Sequence, residues 1–434
     1  MSHRATGRCV WARGVFALAA VAALCLTTGV RGEEAGKTAL KKGDRLAIVG
    51  DSITEQKLYS TFMETYLTAC TPELQIKVMQ FGWGGETAAG FATRMENDLV
   101  PWKPNVVTTC YGMNDGGYRK YEEAIGKVYE ANMRRIIDRL TKAGATVVAG
   151  SPGVVDTKTF KGGGAAADEY NHNLAALGAI DAKIAAEKGL PFADVHDAML
   201  SAMKKAKAAL GDAYLVAGGD GVHPGADGHL VMAYAFLKAL GADGKIGAIT
   251  MDWKGKTSAT DGHTVVSNAQ GKVELESTRY PFCFTGTEKD PGGTASILPF
   301  VPFNDDLNRF ILVVTNLPGE NATVKWGSAS KTFTRERLAK GVNLAAEYQD
   351  NPFSKPFQNV LGAIGRKQTY ETLMIKGIIT QWRGLEREFA EDADMKKAME
   401  AFRARLVAHD DDYADQARKA LTPVRHTIEI LPLP

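Results

Sequence analysis

The sequence R-L-A-I-V-G-D-S-I, residues 45–53, combines a strand pattern with a turn that ends in a serine. Its first six residues are a compact apolar run, which predicts a buried β-strand ending at Gly50. The glycine permits a tight turn, and the amino terminus of a following helix would supply N–H groups beside Ser52. By itself the pattern favours a serine that only caps this helix, so the rest of the chain must decide its role.

Strand-like and helical patterns alternate outward from this stretch, to about residue 240. Five short apolar segments are separated by segments with helical periodicity: residues 45–50, 75–80, 105–110, 145–150 and 190–195. This alternation predicts an α/β fold, with a parallel sheet covered by helices on both faces. Such sheets place functional loops at the carboxyl ends of their strands, where the turn with Ser52 is expected.

Three further motifs follow the G-D-S-I block along the same half of the chain. They are G-W-G-G-E-T at residues 82–87, G-M-N-D at residues 112–115 and D-G-V-H at residues 220–223. A serine hydroxyl needs a neighbouring base to act as a nucleophile, and a carboxylate can orient an imidazole for that task. We therefore predict Ser52 as the nucleophile, His223 as the general base and Asp220 as the carboxylate that orients it.

The two middle motifs carry candidate hydrogen-bond donors for an oxyanion. At Gly85 a backbone N–H can approach a substrate carbonyl with no side chain in the way, and Asn114 offers a side-chain amide. The N–H of Ser52 is a third candidate. Taken singly, Gly85 would be an ordinary turn residue and Asn114 an ordinary loop cap. Supporting roles in loop hydrogen bonding and helix capping are predicted for the acids beside the motifs: Asp51, Glu86 and Asp115.

Two other histidines could compete for the role of base. His196 lies beside Asp194 and Asp197 at the start of a predicted helix, so we expect it to cap or pack that helix. His229 lies inside the last helix of the α/β region, and packing is expected for it as well.

Together the four motifs resemble those of the SGNH (GDSL-type) serine hydrolase family. Its signature residues are a Ser, a Gly, an Asn and a His in separate blocks, with an Asp three residues before the His. The resemblance covers about residues 42–240, and Ile53 stands where the family name expects leucine. It implies a flavodoxin-like three-layer α/β/α fold and ester hydrolysis through an acyl-serine intermediate.

The pattern changes after Gly241. Short alternating segments with Gly- and Pro-containing turns predict a β-rich, sandwich-like appendage, and charged periodic stretches after residue 335 predict helices with solvated faces. The predicted organisation has four parts: a signal peptide at 1–32, an SGNH hydrolase catalytic domain at 33–242, the β-rich appendage at 243–334 and a helical C-terminal region at 335–434.

The first 32 residues have the pattern of a secretory signal peptide. Arg4, Arg8 and Arg13 form a basic start, and the apolar run at residues 15–26 is too short to span a membrane comfortably. We expect export after cleavage, with no stable membrane insertion. The chain has a formal net charge of +2. This near-neutral charge gives no electrostatic reason to expect a nucleic-acid partner.

Cysteines and metal-ligating residues give little sign of cross-links or cofactors. Cys70, Cys110 and Cys283 would remain after cleavage, so at least one thiol is free or pairs between chains, and a Cys70–Cys110 bridge stays open. No group of side chains has metal-ligand spacing, and we expect neither a metal nor an organic cofactor. The sequence does not indicate an oligomeric state.

The substrate has to be argued separately from the fold. Export, a glycine-rich loop at residues 151–168 and aromatic residues in the β-rich part favour a glycan ester, with O-acetyl or other short acyl groups. The aromatic residues are Trp253, Tyr280, Phe282, Phe284 and Trp326. They would offer stacking faces for sugars unless they form the core of the β-rich part. Two alternatives stay open: a lipase, lysophospholipase or thioesterase with the same triad, and a non-catalytic secreted binding protein on a hydrolase fold.

Overall fold

A parallel sheet lies at the centre of the first half of the chain. The computed structural model describes residues 40–269, 271–290 and 292–433, so the predicted signal peptide lies outside the described residues. The sheet has the strand order β2-β1-β3-β4-β5. Its strands are β1 (Arg45–Gly50), β2 (Lys77–Gln80), β3 (Val106–Cys110), β4 (Thr146–Gly150) and β5 (Phe192–Ala193). All neighbouring pairs are parallel, as the strand–helix alternation predicts.

Helices cover both faces of this sheet, which gives the predicted three-layer α/β/α fold. They are α1 (Ser52–Glu55), α2 (Tyr59–Thr65), α3 (Ala88–Asp98), α4 (Glu123–Lys142), α5 (Ala167–Lys188), α6 (Val195–Leu210) and α7 (Ala226–Ala239). In β1, Leu46 and Ile48 pack into one apolar cluster with α2, α6 and α7, whereas Ala47 and Val49 pack into another with α3 and α4. Successive side chains of a strand point to opposite faces, so both faces are buried.

Two further sheets follow in the second half. Their strands are β6 (Lys245–Asp252), β7 (Thr257–Ala259), β8 (His263–Ala269), β9 (Lys272–Ser277), β10 (Arg309–Thr315), β11 (Asn321–Trp326), β12 (Ala329–Thr334), β13 (Val342–Asn343) and β14 (Val424–Leu433). One sheet has the order β13-β10-β6-β7 and the other the order β12-β11-β14-β9-β8. The predicted β-rich part is therefore present.

The last strand corrects the predicted organisation. The sequence predicts a helical region at residues 335–434, but β14 at its end lies inside the second sheet, hydrogen-bonded to β11 and β9. The prediction is wrong for residues 424–433, because the strand partners of this segment lie more than a hundred residues earlier in the chain.

The structure also corrects the prediction that aromatic residues of the β-rich part offer stacking faces for sugars. Tyr280, Phe282, Phe284 and Trp326 are each at most 9% exposed, and Trp253 is half-buried against the same core. Phe282, for example, has its ring centroid 4.8 Å from that of Phe357. These rings stabilise the core and are not free to stack on a sugar.

The remaining helices lie between or after the strands of the second half, and among them α11 (Ser354–Thr372) packs against the first sheet. They are α8 (Phe303–Leu307), α9 (Arg335–Lys340), α10 (Leu344–Glu347), α11 (Ser354–Thr372), α12 (Arg383–Glu388) and α13 (Ala393–Ala420), with a π-helical turn at Leu373–Ile378. Side chains of α11 bind the free edge of β2: Lys367 Nζ donates to Val78 O at 2.7 Å, and Glu371 Oε2 accepts from Gln80 N at 3.0 Å. The helical region therefore completes the edge of the first sheet.

Cys70, Cys110 and Cys283 are all buried free thiols, so the Cys70–Cys110 bridge is not formed. Within the described ranges, no helix has both the length and the apolar character needed to span a bilayer.

Candidate active site

Ser52 lies in the turn between β1 and α1, at the carboxyl end of the central sheet. A side chain at Gly50 would place its Cβ 2.1 Å from Thr54 Oγ1 and 2.8 Å from Cys110 O, so the tight turn requires glycine. Asp51 caps α1 by accepting the N–H of Ile53 on Oδ1 at 2.9 Å. The turn leaves Ser52 partly exposed at the amino terminus of the helix.

His223 and Asp220 form a hydrogen-bonded chain with Ser52. His223 Nε2 lies 2.8 Å from Ser52 Oγ, and His223 Nδ1 lies 2.7 Å from Asp220 Oδ2. The other oxygen of Asp220 accepts the backbone N–H groups of Val222 and His223, both at 2.9 Å. Partial burial alone would raise the pKa of Asp220, but these bonds from His223 and Val222 outweigh it and hold the pKa below its ordinary value.

The glycine-rich loop at residues 151–168 supports the loop that carries His223. Asp156 N donates to Gly221 O at 2.9 Å, and Thr159 Oγ1 donates to Gly218 O at 3.1 Å. Phe160 stacks on Tyr118 with ring centroids 6.3 Å apart. The loop thus borders the site, as the sequence predicts.

The two predicted oxyanion donors lie in the loops that follow β2 and β3, the two strands that pair with β1. Gly85 has φ +72°, a conformation that favours glycine, and its position is exposed. Asn114 Nδ2 donates to Glu86 O at 3.0 Å, while Asn114 Oδ1 accepts from Tyr118 Oη at 3.0 Å. Nδ2 carries two hydrogens, so one remains for a ligand. Tyr118 fixes this orientation, a role that the sequence analysis missed.

The acids beside the motifs hold the loops together. Asp115 accepts from Ala88 N at 2.9 Å and from Gly112 N at 3.0 Å, which joins two of the motif loops. Glu86 forms a buried ion pair with Arg94, whose Nε lies 2.6 Å from Oε1. Burial raises the pKa of Asp51 to about 7 and that of Asp115 to about 6.

The ring nitrogens of the two rival histidines bond partners other than Ser52. His229 is fully buried, accepts the N–H of Tyr59 at 3.2 Å, and has its pKa lowered to about 3 by burial, which keeps it neutral. His196 Nδ1 lies 3.0 Å from the carbonyl oxygen of Gly153. Across the part of the chain that the structure describes, no cluster of His, Cys, Asp and Glu side chains is arranged to hold a metal ion.

Comparison with known proteins identifies the family. Residues 48–231 match the GDSL-like lipase/acylhydrolase family. This segment belongs to the SGNH (GDSL-type) hydrolases. This SGNH protein is therefore a serine ester hydrolase, and all four sequence motifs fall in or next to the matched segment.

Two relatives extend this result. An acetylxylan esterase from Geobacillus stearothermophilus is 26% identical over 221 residues, which cover 46% of this chain and 94% of that protein. A gut microbial diltiazem-metabolizing enzyme of known structure superposes with a TM-score of 0.70 at 23% identity. That superposition covers 91% of this SGNH chain and 98% of the other, so the shared fold includes the second half.

Proposed function

We propose that Ser52, His223 and Asp220 are the catalytic triad of this serine ester hydrolase. The observation that carries the proposal is the pair of hydrogen bonds that joins the three side chains, 2.8 Å from Ser52 to His223 and 2.7 Å from His223 to Asp220. A hydroxyl needs this contact with a neutral imidazole to become a nucleophile, and the carboxylate stabilises the imidazolium that results.

In the proposed reaction, Ser52 Oγ attacks the acyl carbon while His223 Nε2 takes its proton. The oxyanion accepts hydrogen bonds from the N–H groups of Ser52 and Gly85 and from Asn114 Nδ2. His223 then gives the proton to the leaving alcohol, which produces an acyl-serine. Water, deprotonated by the same imidazole, hydrolyses this ester and restores Ser52. Each oxyanion donor contributes about 10²–10³ to the rate in comparable sites.

For the substrate we propose acetyl or other short acyl esters of a carbohydrate. The relation to an acetylxylan esterase supports this class. Partly exposed aromatic rings lie next to the motif loops, at Trp83, Tyr118 and Phe160, and such rings can contact the apolar faces of a sugar. These rings take the place of the buried aromatic residues that the sequence analysis named. We also propose that the protein is exported, on the pattern of its first 32 residues.

Hydrolysis of long-chain lipid or thioester substrates is the competing proposal. It requires an apolar pocket that begins at Ser52. A cavity of about 540 Å³ is present, but it is lined by Arg45 and Trp102, among others, and therefore opens near the start of β1 rather than its end. A chain attached to Ser52, at the opposite end of β1, does not reach it directly. Short acyl groups are therefore favoured.

Substrate preference is the test of this proposal. With 4-nitrophenyl esters of increasing chain length, we expect kcat/KM for acetate to exceed that for octanoate by about 10-fold or more. The same site should release acetate from acetylated xylo-oligosaccharides. These glycans should therefore reduce the labelling, by a fluorophosphonate probe, of the peptide that contains Ser52. A preference for long chains, with no protection by the glycans, would support the lipase or thioesterase alternative.

The pH dependence should show an acid limb. Protonated His223 cannot accept the proton of Ser52, so kcat/KM for 4-nitrophenyl acetate should fall on acidification. Asp220 remains the charged partner of the imidazole, because its pKa is held below the ordinary value. Asp51 has a pKa of about 7, so its protonation must be distinguished from the loss of the base.

The Asp51→Asn variant makes that separation. Asparagine keeps the helix cap but removes the carboxyl group that titrates. We expect the acid limb to persist in this variant. A flat profile in the parent enzyme, or a limb that disappears with Asp51→Asn, would contradict the assignment of the limb to His223.

A further inference from the structure

A lysine from the C-terminal region contacts the first turn of the active site. Lys376 lies in the π-helical turn Leu373–Ile378. Its Nζ lies 2.7 Å and 2.9 Å from the two carboxylate oxygens of Glu55, the last residue of α1. Glu55 follows Ser52 by three residues. The segment matched by the hydrolase family ends at residue 231, so this contact comes from outside it.

Glu55 in turn holds the loop that carries Gly85. Its Oε2 accepts the backbone N–H of Gly84, the residue directly before Gly85. The loop at residues 82–87 contains three glycines among six residues, and glycine has more conformational freedom than any other residue. Upstream, Trp83 N donates to Gly50 O at 3.1 Å. The hydrogen bond to Glu55 therefore anchors the loop next to Gly85, whose N–H must point at the oxyanion.

The ammonium group of Lys376 has a second contact with the same loop. Its Nζ lies 4.9 Å from the ring centroid of Trp83, within the range of a cation–π interaction. The lysine is well held, because its neighbours Met374 and Ile375 are buried in the apolar cluster that also contains Phe81. Lys376 thus reaches both Trp83 and, through Glu55, Gly84.

We propose that Lys376 is a positioning residue for the oxyanion donor. By fixing the carboxylate of Glu55, it fixes the N–H of Gly84 and so keeps the N–H of Gly85 aimed at the oxyanion that forms at Ser52. This inference rests on the roles proposed above for Ser52 and Gly85. Without the lysine, Glu55 loses its cationic partner and is free to turn toward water, and the glycine-rich loop loses its anchor. A displacement of about 1 Å in such a site can cost up to about 10²-fold in rate.

The matched control is a second ion pair between the two halves of the chain. Lys77, the first residue of β2, lies 2.8 Å from Asp411 of α13. Its side chain is 39% exposed, against 35% for Lys376. Lys77 is at the amino end of its strand, whereas Ser52 follows the carboxyl end of the neighbouring strand. Lys77→Met therefore removes a comparable interface ion pair without touching the oxyanion loop.

The experiment compares Lys376→Met, Lys376→Arg and Lys77→Met in the full-length protein. With 4-nitrophenyl acetate, Lys376→Met should lower kcat about 10-fold and change KM less than about 2-fold, because the lost interaction acts on the transition state. A boronic acid that forms a tetrahedral adduct on serine should bind about 10-fold more weakly. Lys376→Arg should retain most of the parent kcat, since arginine can also bind a carboxylate through two hydrogen bonds. Lys77→Met should leave kcat and boronate binding unchanged.

Several outcomes would overturn the inference. One is a kcat for Lys376→Met equal to that of Lys77→Met. Another is a loss of kcat accompanied by unchanged boronate affinity, which would mean that the oxyanion donors had not moved. Glu55→Gln supplies an independent check, because its effect should not add to that of Lys376→Met. These failures are distinct from failure of the proposed function, which would appear as an ester hydrolase activity that survives Ser52→Ala.

Discussion

Replacing Ser52 by alanine should lower kcat for ester hydrolysis by about 10⁴-fold or more, with little change in thermal stability. The hydroxyl that receives the acyl group is removed, and His223 loses the oxygen that lies 2.8 Å from its Nε2. The side chain is small and partly exposed, so the fold loses little packing. Kinetics with 4-nitrophenyl acetate at matched concentrations of folded protein would measure the effect, and a fluorophosphonate probe should label the parent enzyme but not the variant.

Ser151 offers a matched control for this substitution. It also follows a parallel strand, β4, and has a histidine and an aspartate nearby: its Oγ accepts the backbone N–H of His196 at 2.9 Å and lies 3.4 Å from Asp194 Oδ1. The imidazole of His196 is directed at Gly153 O instead, so Ser151 has no base. Ser151→Ala should keep kcat within about 3-fold of the parent value. Comparable losses in both variants would argue that fold disruption, rather than a lost nucleophile, explains the Ser52 result.

The central sheet could be predicted from the sequence because its determinants are local. Each strand of the sheet is a short apolar run followed by a turn, and the alternation with helices limits the topology to a few arrangements. The carboxyl ends of parallel strands meet at one edge of a sheet, so motifs that follow separate strands are expected to converge. Ser52 and His223 lie within hydrogen-bond distance although 171 residues separate them.

The last strand shows what local patterns do not establish. Its inward residues Val424, His426, Ile428 and Ile430 alternate with more exposed ones, which is a strand pattern. The segment follows a 28-residue helix, and its partners β9 and β11 lie far back in the chain. No hairpin turn in the sequence indicates this pairing. The alternating pattern of residues 424–430 was therefore not enough to predict a strand directly after a long helix.

The contacts of the C-terminal lysines were missed for a related reason. Single lysines in charged helical stretches predict solvated faces, and this expectation fails for Lys367, which is 1% exposed. The residues that neutralise Lys367 and Lys376 are Glu64, Glu371 and Glu55, two of which lie in the first half of the chain. Periodicity carries no information about such distant partners. Only the packing of α11 and the π-helical turn against the first half of the chain brings the distant partners together.

Replacing Lys367 by methionine should lower the free energy of unfolding by about 3–5 kcal/mol. Lys367 Nζ donates to Val78 O at 2.7 Å, lies 3.0 Å from Glu64 Oε1, and also bonds Glu371. Methionine fills a similar volume but leaves buried carboxylates without a cation and the edge carbonyl of β2 without a donor. Urea denaturation followed by tryptophan fluorescence would measure the loss.

The loss of stability caused by Lys367→Met should also depend on pH, and the buried carboxylates determine whether it grows or shrinks as the pH rises. Burial raises the pKa of Glu371, so without its cation this group should be neutral at mildly acidic pH and costly to ionise at higher pH. The stability deficit of Lys367→Met should therefore grow as the pH rises. Lys340→Met is the control, because its pair with Glu336 is 75% and 77% exposed and should contribute far less. If the two variants lost the same stability, the buried contacts of Lys367 would contribute no more to folding than an exposed surface ion pair does.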